Sequence, residues 1–274
     1  MAQGSMLCPE CGKLIGVGEE KCPFCGAWRP GMYGLTPRMQ RWFGRGLDLN
    51  WLIASTCIGL YIASLVLQPD AVFRSFSPFA ILAPGTRALY QLGMTGGQAW
   101  IEGWWWTLLT AQYLHGGLIH IFFNVLLIRN LGPAVTDVYG PARAFVLFNA
   151  GGATGFLVSN LLSGDPTIGA SGSIFGLLAA LIVYGRKRGV SMLTAQLWQW
   201  AIVMFVFGFI APSVNNWAHA GGFAGGWIGA NLMRFGDEKR ETRGVQLLAL
   251  ALIGATLVGF ALSFVGVTAV LFQL

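Results

Sequence analysis

Charge is what this sequence has least of. Asp, Glu, Lys and Arg together supply 10% of the 274 residues, while hydrophobic types supply 55%. That balance excludes an ordinary soluble domain, in which about a quarter of the residues are charged. Acidic side chains are scarcest, eleven in all, and none falls in the apolar runs described below. A channel or transporter is expected to carry acids at membrane depth, or inverted repeats, and neither is found. No basic patch is found either. The net charge of +6 is spread over several loops, which argues against nucleic-acid binding. Also missing is the basic segment, short apolar core and small-residue site of a cleavable signal peptide. The first apolar run is therefore expected to act as an uncleaved anchor.

What the chain has is apolar length. Seven runs, at about 51–67, 115–131, 144–162, 170–185, 196–211, 217–233 and 246–271, are near the length that a hydrocarbon core of about 30 Å requires. Lipid offers no partner to backbone N–H and C=O groups, so these runs are expected to be helices. The fold class is then an all-α polytopic membrane protein with seven transmembrane spans. Of 17 lysines and arginines, all but Arg74 and Arg87 precede the first run or lie about the inner ends of the second, fourth, sixth and seventh. Basic loops stay in the cytoplasm. This places the N-terminus in the cytoplasm and the C-terminus outside, with a bacterial-type plasma membrane as the expected location.

Four of the five cysteines, Cys8, Cys11, Cys22 and Cys25, are spaced C-x2-C-x10-C-x2-C. Two close thiol pairs of this kind suit a tetrahedral zinc ion, and a site closed by four cysteines is structural. A cytoplasmic location disfavours disulfides, and so short a segment has no apolar core to fold without its metal. Residues 1–30 are expected to form a zinc ribbon that caps the chain or recruits a cytoplasmic protein partner. A basic linker follows at 31–50, where Trp42 and Phe43 among arginines suggest contact with the membrane surface. The lone Cys57 reads as a small packing residue.

Histidine is rarer still, with three copies. His115 and His120 open the second run and His219 lies in the sixth, where an imidazole is expensive and usually has a partner. On the predicted topology Ser171, His120 and His219 all sit within roughly 10 Å of the outer boundary, at 1.5 Å per residue. Ala218, Gly222 and Gly226, then Gly221, Gly225 and Gly229, and in the fourth run Gly172 and Gly176, repeat at four-residue spacing. Small residues so spaced let helix backbones approach. Contact between the fourth and sixth runs would bring the Ser171 hydroxyl to the His219 ring. Ser173 is the local rival, but two residues on, it turns to another helix face.

The motifs HGGLIHIFFN, GASGSIFG and AHAGGFAGG, in this order and on these runs, resemble those of the rhomboid family of intramembrane serine proteases. The resemblance covers about residues 51–235 and leaves 236–274 as a loop and an additional seventh helix. It implies Ser171 as nucleophile and His219 as general base, a dyad without aspartate. Asp165 in the outer loop is the one nearby acid that could serve as a third member, and it is not expected to. The resemblance also implies an oxyanion hole from His120, Asn124 and the Ser171 N–H, with Gly169 leaving room for the approach. Phe175 is placed as a ring against His219, where many members have tyrosine, and His115 as a tie between the outer loop and the second span. The implied partners are transmembrane protein substrates within the lipid bilayer, cut near the outer face, and catalysis needs no cofactor. A relative that binds and escorts transmembrane helices without cutting is the alternative, though such proteins usually lack the serine or histidine. Two departures bear on stability: Thr107 stands where many members have arginine after tryptophan, and Thr136 where a glutamate is common, beside Asp137.

Overall fold

Among the described residues seven helices of 17 to 30 residues carry the fold: α1 (Leu49–Leu67), α2 (Leu118–Tyr139), α3 (Pro141–Leu162), α4 (Ser171–Arg188), α5 (Ser191–Ile210), α6 (Asn216–Leu232) and α7 (Arg243–Phe272). The structure is a computed structural model describing residues 5–8, 11–16, 19–28, 49–71, 81–211, 214–233 and 241–272, with side chains to 267. Arg74 and the linker with Trp42 and Phe43 lie outside the described residues, apart from Leu49 and Asn50, which open α1. Five helices, α1, α2, α3, α5 and α7, are each long and apolar enough to cross a membrane. The fold is that of a polytopic all-α membrane protein, and the many exposed Leu, Ile, Val and Phe side chains on α5 and α7 suit contact with lipid.

Each expected run falls on a helix, but boundaries move. The second helix starts at Leu118, so His115 precedes it, and it continues past 131 to Tyr139. Asp137 is therefore on a helix after all. The turn comes later because the stop signal is Gly140, with φ of 87°, followed by Pro141 as the first residue of α3. Proline at that position loses no hydrogen bond and is preset for a helix. At the other end of the series, α4 runs on through Arg186, Lys187 and Arg188 to a left-handed Gly189, and basic residues in a last turn oppose the helix dipole.

At the centre α3, α4 and α6 pack backbone to backbone. A Cβ on Gly222 would lie 2.2 Å from the Gly172 oxygen, and one on Gly226 would lie 2.1 Å from the Gly176 oxygen. The second glycine row of α6 faces α3 instead, where a Cβ on Gly221 would lie 2.8 Å from the Thr154 oxygen. One helix thus closes on two neighbours. α4 is buried along nearly its whole length, which is why its polar first turn can be held in one geometry.

The described part of the outer loop folds into short helices at Thr86–Gln91, Gly97–Ile101 and Thr107–Thr110, then a 3₁₀ turn at Ala111–Tyr113. α7 braces it. Trp106 Nε1 donates to Ser263 Oγ at 3.0 Å, and Gly259 and Gly266 make room for Trp106 and Trp104. At the opposite end, roughly 25 Å away for a helix of this length, Gln246 Nε2 donates to the Trp28 carbonyl at 3.4 Å. The Arg243 guanidinium lies 4.0 Å from the Trp28 ring centroid. The cysteine segment and the outer loop therefore meet opposite ends of α7.

Just before α7, the buried Glu241 carboxylate accepts hydrogen bonds from the Ala142 and Arg143 N–H groups. These are among the first N–H groups of α3, which no carbonyl of its own helix can satisfy. Glu241→Ala is expected to cost about 1 kcal/mol, as loss of a helix cap does. The measurement is the midpoint of detergent-induced unfolding, and an unchanged midpoint would show that the cap is dispensable.

Candidate active site

Ser171 is the first residue of α4 and is partly exposed, whereas the rest of that turn is buried. His219 lies one turn into α6, whose start is fixed by Asn215: its side-chain oxygen accepts the Ala218 N–H at 3.2 Å. The close approach of α4 and α6 places His219 Nε2 2.9 Å from Ser171 Oγ. This is hydrogen-bond distance across two helices. Phe175, one turn along from Ser171, stacks on the imidazole with centroids 4.4 Å apart and planes at 21°. Among the described residues His219 Nδ1 has no hydrogen-bond partner, and Asp165 is exposed in the loop. The ring is held by stacking and packing, without a carboxylate.

On α2, His120 Nδ1 accepts the Gly116 N–H at 3.3 Å. The ring proton is then on Nε2, which is free to donate. That nitrogen faces Gly169: a Cβ there would lie 2.7 Å from it and 3.9 Å from Ser171 Oγ. Glycine is required at 169 twice over, for this space and for its φ of 124°. Asn124 lies one turn further along α2 and is buried, with Nδ2 donating to the His120 carbonyl at 2.8 Å. Its amide carries a second N–H in addition to that bond. His115 stands between the 3₁₀ turn of the outer loop and the start of α2. Both ring nitrogens lack a partner among the described residues, and the ring packs edge-on against His120 with centroids 5.0 Å apart. Chemically, this group can pass a proton from a hydroxyl to an imidazole and offer N–H donors beside it.

The rhomboid-domain family model matches residues 102–236, which contain all of these side chains. The chain carries a rhomboid domain. It is similar to the rhomboid protease GluP of Bacillus subtilis (strain 168), 35% identical over 178 residues, 64% of this chain and 35% of that protein. RHOMBOID-like protein 4 of Arabidopsis thaliana is 31% identical over 167 residues, 57% of this chain and 41% of that protein. The inactive RHOMBOID-like protein 8 of the same plant is 29% identical over 177 residues, 62% of this chain and 50% of that protein. The match thus spans only about a third to a half of the length of these relatives.

In this rhomboid domain the two departures have local substitutes. Thr107 Oγ1 bonds Thr95 Oγ1 at 3.0 Å and the Trp104 carbonyl at 2.6 Å, which anchors the loop at this position. Thr136 accepts from Asn50 Nδ2 at 3.4 Å, joining α2 to α1. A wider polar web, which the sequence reading missed, ties the outer ends together. Asn215 Nδ2 donates to Ser159 Oγ and Thr167 Oγ1 at 2.7 and 3.0 Å, and Asn160 Nδ2 donates to Thr95 Oγ1 at 3.0 Å. Its one visible signal was Asn215 in capping position before the sixth run.

The cysteine segment makes a second candidate site. Strands β1 (Ser5–Leu7) and β2 (Leu14–Gly16) pair antiparallel, Met6 opposite Ile15. Two equivalent turns, Cys8 to Gly12 and Cys22 to Gly26, end in left-handed glycines with φ of 70° and 69°. A tetrahedron of metal–sulfur bonds of about 2.3 Å has edges of about 3.8 Å. Here the Cys8–Cys25 and Cys11–Cys22 sulfurs are 3.8 and 3.7 Å apart, and all four lie within 4.8 Å of one another. Burial raises the Cys22 thiol, but backbone groups of Cys25 and Phe24 outweigh it and bring it to about 7, while burial pushes Cys25 up to about 11. A cation among these sulfurs would remove the resistance to ionising both. The four residues can hold a metal ion.

Proposed function

We propose that this chain is an intramembrane serine endopeptidase that cuts transmembrane segments of membrane-protein substrates near the outer face. The observation that carries this reading is the 2.9 Å approach of Ser171 Oγ and His219 Nε2 inside a bundle of apolar helices. Nε2 takes the hydroxyl proton as Oγ attacks the scissile carbonyl carbon. The carbonyl oxygen becomes an oxyanion beside His120 Nε2, the Asn124 amide and the Ser171 N–H. His219 then passes the proton to the leaving amine as the C–N bond breaks, and water, activated by the same ring, releases the acyl group.

On this reading all seven helices span the bilayer, with residues 51–235 as the catalytic core and 236–274 as a loop and added helix. The N-terminus is cytoplasmic and the C-terminus outside, in a bacterial-type plasma membrane. Residues 1–30 form a ribbon in which Cys8, Cys11, Cys22 and Cys25 hold one structural zinc, and 31–50 link it to the core. The ribbon rests on α7 through Trp28 and presents its remaining surface to a cytoplasmic protein partner. Purified protein is expected to contain about one zinc per chain, and Cys8→Ser to lose it, measured by elemental analysis. Zinc retained in that variant would place the ion elsewhere.

Reconstituting the protein with a model transmembrane substrate, and mapping product termini by mass, tests the activity. The expected cut lies in or beside the substrate helix, toward the outer face. The similarity to an inactive relative favours one other reading, an escort that binds helices without cutting them. Substrate that is retained on the protein yet stays intact would support that escort and overturn the protease.

A further inference from the structure

Gln112 and Ser173 take no part in the chemistry above, yet both are fully buried and hydrogen-bonded to each other. Ser173 Oγ donates to Gln112 Oε1 at 3.0 Å, and Gln112 Nε2 donates to the Leu108 carbonyl at 2.8 Å. The preceding residue, Ala111, accepts the Gly169 N–H at 2.9 Å. Consecutive residues of one 3₁₀ turn therefore grip the chain on both sides of Ser171, at 169 and at 173. α3 closes the remaining side: a Cβ on Gly152 would lie 2.2 Å from Gln112 Cδ and 2.4 Å from Ser173 Oγ. The pair has nowhere to swing.

This grip matters because the first turn of a helix lacks half its backbone bonds and frays unless capped. α4 begins after Ala170, which offers no capping side chain. Ser171 is thus the first residue of a helix with no cap of its own, and a displacement of about 1 Å at a reacting atom can cost about 100-fold in rate.

We propose that Gln112 is a positioning residue for Ser171, acting through Ser173: it fixes the rotation of the first turn of α4 and so holds Oγ at His219. The inference rests on reading Ser171 as the nucleophile. It also gives Ser173 a task, one that the geometry of a helix turn made incompatible with attack.

The test compares wild type with Ser173→Ala, Gln112→Leu, the double variant and Ser173→Cys, which keeps a donor of similar size. Three quantities are read per folded molecule: acylation rate by a fluorophosphonate probe, kcat and KM for a transmembrane substrate, and the unfolding midpoint. Ser173→Ala and Gln112→Leu are each expected to lower the acylation rate and kcat about tenfold, as loss of a buried partner can, with KM within about twofold. The double variant is expected to be no slower than either single one, and Ser173→Cys to recover part of the rate. A lowered midpoint with rates within about twofold of wild type would mean a purely structural bond and overturn the proposal alone. A wild type that neither reacts nor cleaves would overturn the nucleophile reading along with it.

Discussion

Ser171→Ala is expected to abolish both substrate cleavage and fluorophosphonate labelling, a loss on the order of 10⁴-fold or more in kcat. Among the described residues the hydroxyl is the one nucleophile with an imidazole at 2.9 Å, and alanine leaves that ring nothing to deprotonate. His219→Ala is expected to lose a comparable factor, since a serine hydroxyl without a base is a weak nucleophile. Removing both should cost no more than removing one, because the pair acts as a unit. Ser173 cannot stand in, with its hydroxyl engaged by Gln112 in a buried site. Cleavage products measured by mass, with labelling read on a gel, decide the matter. Cleavage persisting in both single variants would move the active site elsewhere.

The second large effect is expected from a residue with no chemistry. A Cβ on Gly222 would lie 2.2 Å from the Gly172 oxygen and 2.8 Å from its Cα. Those atoms are backbone and cannot retreat as a flexible side chain could, so Gly222→Val must push α6 from α4. Overpacking of this kind typically costs about 1–3 kcal/mol. The activity cost is larger, because Ser171 and His219 sit on the two helices being parted: at least about 100-fold per folded molecule, for a separation near 1 Å. Gly254→Ala is the control, since nothing lies within 4 Å of a Cβ there. Full activity in Gly222→Val would mean that the α4–α6 spacing does not set the serine–histidine distance.

These expectations draw unevenly on what the sequence reveals. The helices were legible because lipid allows apolar runs few other structures, and each run falls on one. The reach of α2 was not, because Arg129, Pro133 and Asp137 interrupt its apolar pattern while the backbone continues to Gly140. The glycine rows of α6 were visible as spacing, but not that one row meets α4 and the other α3. The part expected of His115 came from a motif, and in the fold its ring packs against His120 without a bond among the described residues.

Composition and pattern by themselves determined that the chain is an all-α membrane protein, where its helices run, and which rare polar side chains lie near one depth. Membrane burial is a property of residue type and run length, so local sequence suffices for it. The tertiary structure alone decided that residues 48 apart touch, that Gln112 holds the first turn of α4 from 61 residues before Ser173, and that Glu241 caps a helix by bonding an N–H 98 residues earlier. Such contacts depend on how closely backbones can approach, and that is settled jointly by glycines on both partners rather than by any stretch of chain read alone.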